Sequence, residues 1–194
     1  MRSTLYLKFI AIYIIFGFLS IFCVGTLTSH LVLNRVENKV SSSIYREASL
    51  FSNDYLPSYF SGELTVSSVR RQLSGMQDYI DASIWFVERD GSLIASSIVN
   101  GHPGAPSTIN DFNPIENGSA LYTVGTYHDF FSEPVMTIIT PVTSGYQTNG
   151  YLLIHKPYSD LEAECDYYLL PVYITIAVIY LLSFIFLIAF HFLV

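Results

Sequence analysis

Two long uncharged apolar runs bracket one polar stretch of this chain. The first run, Phe9–Thr28, has 20 residues without a charge, and the second, 167–194, has 28. Because a bilayer core of roughly 30 Å is crossed by about 20 helical residues, each run is long enough to span a membrane. About 140 residues lie between them, enough for one compact domain. We therefore expect a short N-terminus at 1–8, a membrane helix in each run, and a folded domain at 29–166.

Charges beside the two runs predict the orientation of the chain in a membrane. Arg2 and Lys8 precede the first run with no acidic residue beside them, whereas Ser159–Asp166 holds four acidic residues and no basic one. Lys and Arg are enriched on the cytoplasmic side of membrane helices. We therefore expect a two-pass protein of the cell membrane, in contact with lipid, with a cytoplasmic N-terminus and an extracytoplasmic domain at 29–166.

The net charge and the two cysteines bear on the possible partners and disulfide bonds of the domain. The stretch between the runs holds seven basic and sixteen acidic residues, a formal net charge of −9. Nucleic acids require a basic surface, so we exclude them as partners. Cys23 lies inside the first run and Cys165 beside the second. Since the two cysteines should lie at different depths, we expect no disulfide bond between them.

The first apolar run also has an alternative interpretation. The first run, with its charged start, could be a cleaved signal peptide, although it is long for one and no Ala-x-Ala-like cleavage site is visible. The domain would lie outside the cell in either case. The second run is still apolar at Phe192–Val194 and has no basic cluster after it. We interpret the chain as the N-terminal part of a longer protein.

Helical spacing of apolar residues extends beyond the first run. From Leu33 to Tyr55 such residues recur every three or four positions, which predicts a long helix that Pro57 ends. This stripe could pack on its own domain, or its membrane-proximal part could pair with a second copy of the chain. A second helix should begin near Leu64. Its apolar seam comprises Val66, Val69, Leu73, Met76 and Ile80.

The following residues predict a sheet. Asp90-Gly91 is a strong signal for a hairpin turn between two strands, and Asn149-Gly150 signals a second turn. The five expected strands are Ala82–Glu88, Ser92–Ser97, Ala120–Tyr127, Glu133–Val142 and Gly150–His155. A helix from Tyr158 should then continue into the second run. This order predicts an α+β fold with a five-stranded antiparallel sheet and helices on one face.

These features together resemble a known family. A strand enters Asp90-Gly91 and returns, a later strand ends in Thr140–Val142, and the turn at Asn149-Gly150 leads into Tyr151–Pro157 before the last helix. The chain resembles the extracytoplasmic PAS-like sensors called PDC or single-Cache domains, most of all the N-terminal part of a bacterial sensor histidine kinase. The aromatic, arginine and aspartate set of double-Cache amino-acid receptors is not recognisable. No HAMP or kinase segment is present either, so the output type is implied only by how often such sensors are joined to kinases.

The resemblance implies a ligand between the sheet and the loops that cover it. A binding pocket has mostly apolar walls with a few fixed polar groups. Trp85 could form a wall, or could be plain core. Arg70 and Arg71 could hold a carboxylate, or could lie on a solvated helix face. The candidate ligand-binding residues are Trp85, Ser96, His102, Tyr122, Tyr127, His128 and Asp129.

Catalytic and metal chemistry receive little support from the sequence. His102, His128, Asp129 and His155 could bind a metal or sense protons, but their spacings match no metal motif. No nucleophile elbow, zinc-protease motif or phosphate-binding glycine loop is present. We therefore expect no catalytic residue, metal or cofactor in this segment.

The expected function is that of a signal-sensing input module of a two-component histidine kinase. Binding of a small molecule or peptide outside would shift the helices that enter both membrane spans. A homodimer is expected, and Gly25 and Ser29, four residues apart, would allow close helix approach. The alternatives are a membrane-tethered interaction or assembly domain without a small ligand, and a dimerising spacer.

Overall fold

The computed structural model describes residues 2–97, 105–114 and 120–193, with side chains from 8 to 189. The helices and strands follow in chain order. They are α1 (Arg2–Asp54), α2 (Pro57–Phe60), α3 (Val66–Ile80), β1 (Ser83–Glu88), β2 (Leu93–Ser96), β3 (Thr123–Gly125), β4 (Val135–Ser144), β5 (Gln147–Pro157) and α4 (Tyr158–Leu193). The chain divides into two compact units, one of residues 37–161 and one of residues 1–36 and 162–194.

The unit at 37–161 contains one antiparallel sheet of five strands in the order β2-β1-β5-β4-β3. The α+β fold with a long N-terminal helix and a five-stranded antiparallel sheet is therefore confirmed. The third strand is shorter than predicted, because only Thr123–Gly125 of the expected Ala120–Tyr127 pair with β4. β1 and β5 lie inside the sheet, whereas β2 and β3 form its two edges.

Both faces of the sheet are covered, and its inner strands bury residues on both faces. On one face Phe86 packs edge-on against Tyr59 and Phe60, with ring centroids 5.7 and 5.8 Å apart. The opposite face carries Trp85 and is covered by residues between β2 and β4, among them Ile109 and Phe131. Fully buried sheet residues include Ile84, Phe86, Leu152 and Ile154 on the first face and Trp85, Val87 and Leu153 on the second.

The helices contribute their predicted apolar positions to the core. In α1 the side chains of Ile44 and Ala48 are buried, which favours packing of this part of the stripe on its own domain. One turn later the hydroxyls of Ser52 and Thr140 lie 3.0 Å apart in a buried hydrogen bond. In α3 the seam is confirmed at Val69 and Leu73, which are both fully buried.

The turn between β4 and β5 differs from the prediction. We predicted it at Asn149-Gly150, but Gly145 and Tyr146 make it, each with a φ of 64°. Two consecutive positive φ angles are typical of the two-residue type I′ hairpin. Gly150 instead lies within β5, where a Cβ would come 2.5 Å from the carbonyl oxygen of Val87. The prediction was wrong because this glycine is required for close strand packing and not for a turn.

The unit at 1–36 and 162–194 contains the apolar part of α1 and most of α4. Both helices are long and apolar enough to cross a membrane, and their most apolar windows are only 6% and 0% buried. The hydroxyl of Tyr13 donates to the carbonyl oxygen of Tyr180 at 3.0 Å. Beside this contact Gly17 faces the ring of Tyr180, and two turns later Gly25 faces the ring of Tyr173. The small residues of α1 therefore accommodate tyrosines of α4 in the same chain.

Candidate functional site

A cavity of about 230 Å³ opens at the β3 edge of the sheet, on the face that carries Trp85. Pockets for drug-sized ligands are usually roughly 300–1,000 Å³, so this cavity suits a small molecule. It is lined by Asn113, Thr123, Val124, Gly125, Tyr127, His128, Thr137 and Ile139. The lining thus combines amide, hydroxyl and imidazole side chains with the apolar side chains of Val124 and Ile139.

One side of the cavity is a left-handed turn. Tyr127, His128 and Asp129 have φ angles of 40°, 52° and 59° in succession. The turn is held because the amide of Phe131 donates to the carbonyl oxygen of Thr126 at 3.1 Å. Each non-glycine residue in this conformation costs roughly 1–2 kcal/mol. Such strain persists only where surrounding contacts impose it, and it is concentrated at functional sites.

Aromatic rings beneath the turn hold it in place. The indole of Trp85 stacks on Phe131 with ring centroids 5.6 Å apart and meets Tyr127 edge-on at 6.0 Å. The imidazole of His155 packs against all three, with its centroid 4.3 Å from Trp85. Aromatic pairs of this kind contribute roughly 0.5–1.5 kcal/mol beyond the burial of their surface. This cluster therefore offsets part of the strain of the left-handed turn.

His155 is the buried polar group of this cluster. Its Nδ1 lies 2.9 Å from the hydroxyl of Thr137, which lines the cavity, while its Nε2 has no hydrogen-bond partner within the described part of the chain. Complete burial disfavours the charged imidazolium and lowers the pKa of His155 to about 3. The ring is consequently neutral at physiological pH.

The structure brings together only part of the predicted ligand-binding set. Tyr127 and His128 line the cavity, and Asp129 follows them in the turn, where it accepts a hydrogen bond from Thr126 at 3.1 Å. Trp85 is 2% exposed and lies in the core beneath them. Ser96 lies on β2, at the edge of the sheet opposite β3.

The two remaining predicted residues are His102 and Tyr122. His102 lies outside the described residues. Tyr122, directly before β3, is not among the residues that line the cavity, and it donates a hydrogen bond to Glu37 of α1 at 3.0 Å. Arg70 and Arg71 are exposed on α3, as expected of a solvated helix face. Within the described residues there is no group of three His, Cys, Asp or Glu side chains that could hold a metal.

Sequence reasoning missed six of the described lining residues, namely Asn113, Thr123, Val124, Gly125, Thr137 and Ile139. Thr137 and Ile139 were hidden among the β-branched residues of β4. Their alternation gave a usable signal, since positions 135, 137 and 139 of one strand share a face. Thr137 pairs with His155 across the sheet, so the two polar groups are cross-strand neighbours.

A second polar arrangement connects the cavity strand with two helices of the 37–161 unit. The carboxylate of Glu37 accepts hydrogen bonds from Tyr122 at 3.0 Å and from Tyr158, the first residue of α4, at 2.5 Å. Partial burial and the neighbouring carboxylate raise the pKa of Tyr122, so its hydroxyl remains a donor. We call this group of three residues the carboxylate clasp.

A groove of about 410 Å³ lies between α1 and α3, on the other face of the sheet. Leu50 and Tyr79 at its rim are 53% and 81% exposed. Glu47 and Asp54 add acidic groups to the same groove. The two concave surfaces thus differ in character, because the cavity at β3 is lined by uncharged polar groups and the groove is apolar with an acidic rim.

Comparison with solved structures shows what the chain is similar to. The chain is similar to the crystal structure of the V. cholerae histidine kinase DctB sensor domain, with 16% sequence identity and a TM-score of 0.48. The similarity covers 71% of this chain and 58% of that domain, so the chain spans little more than half of its length. No protein-family model matches the chain, and no curated protein matches it.

Proposed function

We propose that this chain is the extracytoplasmic signal-sensing input module of a membrane receptor, a histidine kinase of a two-component system. The observation that carries the proposal is the arrangement of α1 and α4. Each helix contributes residues to the folded 37–161 unit, and each contains a segment apolar enough to cross a membrane. In this proposal a ligand binds the 37–161 unit, and α1 and α4, which are part of that unit, carry the resulting change into the bilayer.

The cavity at β3 is the ligand site in this proposal. It combines a few fixed polar groups with apolar walls, which is typical of small-molecule sites. The left-handed turn at Tyr127–Asp129 gives it a strained wall that a ligand can reposition. A ligand changes the domain only if it binds one conformation more tightly than another.

The carboxylate clasp provides a route from the cavity to the helices. β3 lines the cavity, and Tyr122 directly precedes β3. Its hydroxyl shares the carboxylate of Glu37 in α1 with the hydroxyl of Tyr158 in α4. A displacement of β3 therefore changes the hydrogen bonding of both helices, and shifts of about 1–2 Å suffice in known switching interfaces.

Cysteine labelling in intact cells tests the orientation. In a chain with Cys23→Ser and Cys165→Ser, Tyr146→Cys introduces a thiol at the fully exposed β4–β5 turn. We expect a membrane-impermeant maleimide to label this thiol in intact cells, and to label Ser3→Cys only after the cells are permeabilised. Labelling in the reverse pattern would disprove the extracytoplasmic placement of the domain.

A chimera tests signal output. The chain is joined after α4 to the cytoplasmic part of a histidine kinase, and autophosphorylation is measured in membranes. We expect Glu37→Gln to change the basal phosphorylation, because it weakens both hydrogen bonds of the clasp. Asp78→Asn, an exposed acid of α3, is the matched control. Equal phosphorylation in both variants would contradict the proposed route.

The exposed groove between α1 and α3 favours a second candidate function. Exposed apolar patches mark interaction surfaces, so the domain could instead serve as a membrane-tethered assembly module. Tyr79→Lys would then abolish co-purification with an envelope partner or with a second copy of the chain. In a receptor whose ligand enters at β3, the same variant leaves ligand binding unchanged.

A further inference from the structure

Lysine and arginine are absent from residues 90–155. This stretch supplies every described residue that lines the cavity at β3. Carboxylates and phosphates are normally held by arginine or lysine, through charge-assisted hydrogen bonds. The described lining of the cavity has no such partner for an anionic ligand.

Acidic residues, in contrast, are well represented in the same stretch. Asp111 lies two positions before Asn113 of the lining, and Asp129 directly follows His128. Both carboxylates are exposed, as is that of Glu133, two positions before β4, the strand that pairs with β3. The field of Asp111, Asp129 and Glu133 attracts cations to this part of the domain and repels anions.

Hydrogen bonding inside the cavity favours a ligand that donates. The neutral His155 carries one ring proton. Its Nε2 has no hydrogen-bond partner among the described residues, and the rings of Trp85 and Phe131 pack against the imidazole. A proton on Nε2 gains weak N–H···π contacts there, whereas a bare lone pair would gain nothing. Nδ1 is then the acceptor for the hydroxyl of Thr137, 2.9 Å away. With its proton used in this way, the oxygen of Thr137 can only accept a hydrogen bond from the cavity.

The walls suit a short organic cation. The ring of Tyr127 lines the cavity, and an aromatic face attracts a cation within about 6 Å. Val124 and Ile139 provide an apolar surface for an alkyl stem. We propose that the cavity binds a small protonated amine, whose ammonium group donates to Thr137. This assignment depends on the proposed function, in which the cavity is the ligand site.

Three probes of similar shape and different charge test the assignment. Butylammonium, 1-butanol and butyrate are titrated against the full chain in detergent micelles at neutral pH. Trp85, the single tryptophan, packs against Tyr127 and reports binding through its fluorescence. We expect butylammonium to bind at least about tenfold more tightly than 1-butanol, and butyrate to bind no better than 1-butanol. Added salt should weaken only the binding of butylammonium.

Two variants locate the effect. Thr137→Val removes the acceptor at nearly constant volume, and we expect it to abolish the preference for butylammonium over 1-butanol. Asp129→Asn keeps an oxygen for its bond with Thr126 but removes the charge, and should weaken only butylammonium. Asp78→Asn on α3 is the matched control and should change nothing. A Thr137→Val protein that fails to fold would be recognised by its Trp85 emission. In that case the binding of butylammonium to Asp129→Asn tests the assignment.

The outcomes separate the two proposals. If butyrate binds as tightly as butylammonium or more tightly, the amine assignment is wrong, whereas the cavity remains a ligand site. If all three probes leave the emission of Trp85 unchanged, the amine assignment is wrong and the cavity loses its role as the ligand site. Neither result bears on the extracytoplasmic placement, which cysteine labelling tests separately.

Discussion

Acidification should destabilise the 37–161 unit through His155. The pKa of this ring is about 3 in the folded protein, compared with about 6.5 for an ordinary histidine. Between these two values the unfolded chain binds the proton and the folded chain does not. The contribution to stability is therefore complete above about pH 6.5 and is lost as the pH falls toward about 3.

The size of the effect follows from this difference in pKa. Each pH unit inside the window changes the free energy of unfolding by about 1.4 kcal/mol, so a fall from about pH 6.5 to about pH 4.5 removes about 2–3 kcal/mol. Domains are stable by only about 5–15 kcal/mol, which makes the loss easy to detect. Asp90, whose pKa is lowered from 3.8, loses its contribution only at lower pH.

His155→Asn isolates this contribution. Its amide can still bond to Thr137, but it does not titrate. Urea unfolding of the full chain in micelles is followed by Trp85 fluorescence at several pH values, and midpoints are compared instead of amplitudes. We expect the variant to be less stable at neutral pH and to lose the dependence on pH above about 4.5. The exposed His128→Asn should keep the dependence of the wild type. The same pH dependence in His155→Asn would refute the reasoning.

Three further predictions concern single side chains. Gly91→Ala should cost more than about 2 kcal/mol in urea unfolding, because φ is 87° and the new Cβ meets Phe112 at 2.7 Å; Gly62→Ala, with φ of 82° and open space, should cost only about 1–2 kcal/mol. Gly75→Ala, inside α3 with nothing near its Cβ, should stabilise the domain by about 0.5–1 kcal/mol in the same assay, and a loss of stability would contradict the helical geometry there. Tyr158→Phe should cost about 1–2 kcal/mol, because it removes one hydrogen bond from the carboxylate clasp; additive effects with Glu37→Gln in a double-mutant cycle would show that the bond does not form.

Local sequence signals were sufficient to predict the order of helices and strands along the chain. The periodicity of the α3 seam and the Asp90-Gly91 turn required only neighbouring residues, and both are found where they were predicted. The turn at Asn149-Gly150 failed because a glycine can serve a turn or a close packing contact, and only tertiary structure distinguishes the two. Val87, whose carbonyl oxygen approaches Gly150, is far away in sequence.

The candidate site could be predicted only in part, for the same physical reason. Tyr127 and His128 lie in a polar stretch beside a strand, which is a recognisable signal. Ser96 was grouped with them, although strand order places β2 and β3 at opposite edges of the sheet. His155 sits at the end of an apolar strand, and its partner Thr137 is identified only by the register of β4 against β5. Which side chains meet at the site therefore depends on how the strands pair, and no local sequence pattern encodes that pairing.

The topology also suggests which element should move when the cavity is filled. Within the described part of the chain, β3 is an edge strand of three residues that pairs only with β4, whereas β1 and β5 are paired on both sides. Short edge elements open at lower free energy than core strands, so a ligand displaces β3 at less cost than the rest of the sheet. Because Tyr122 directly precedes β3 and bonds to Glu37, that displacement reaches α1 first and α4 through Tyr158. Hydrogen exchange should accordingly be faster at Val124 than at Leu153, and ligand binding should slow exchange chiefly at β3.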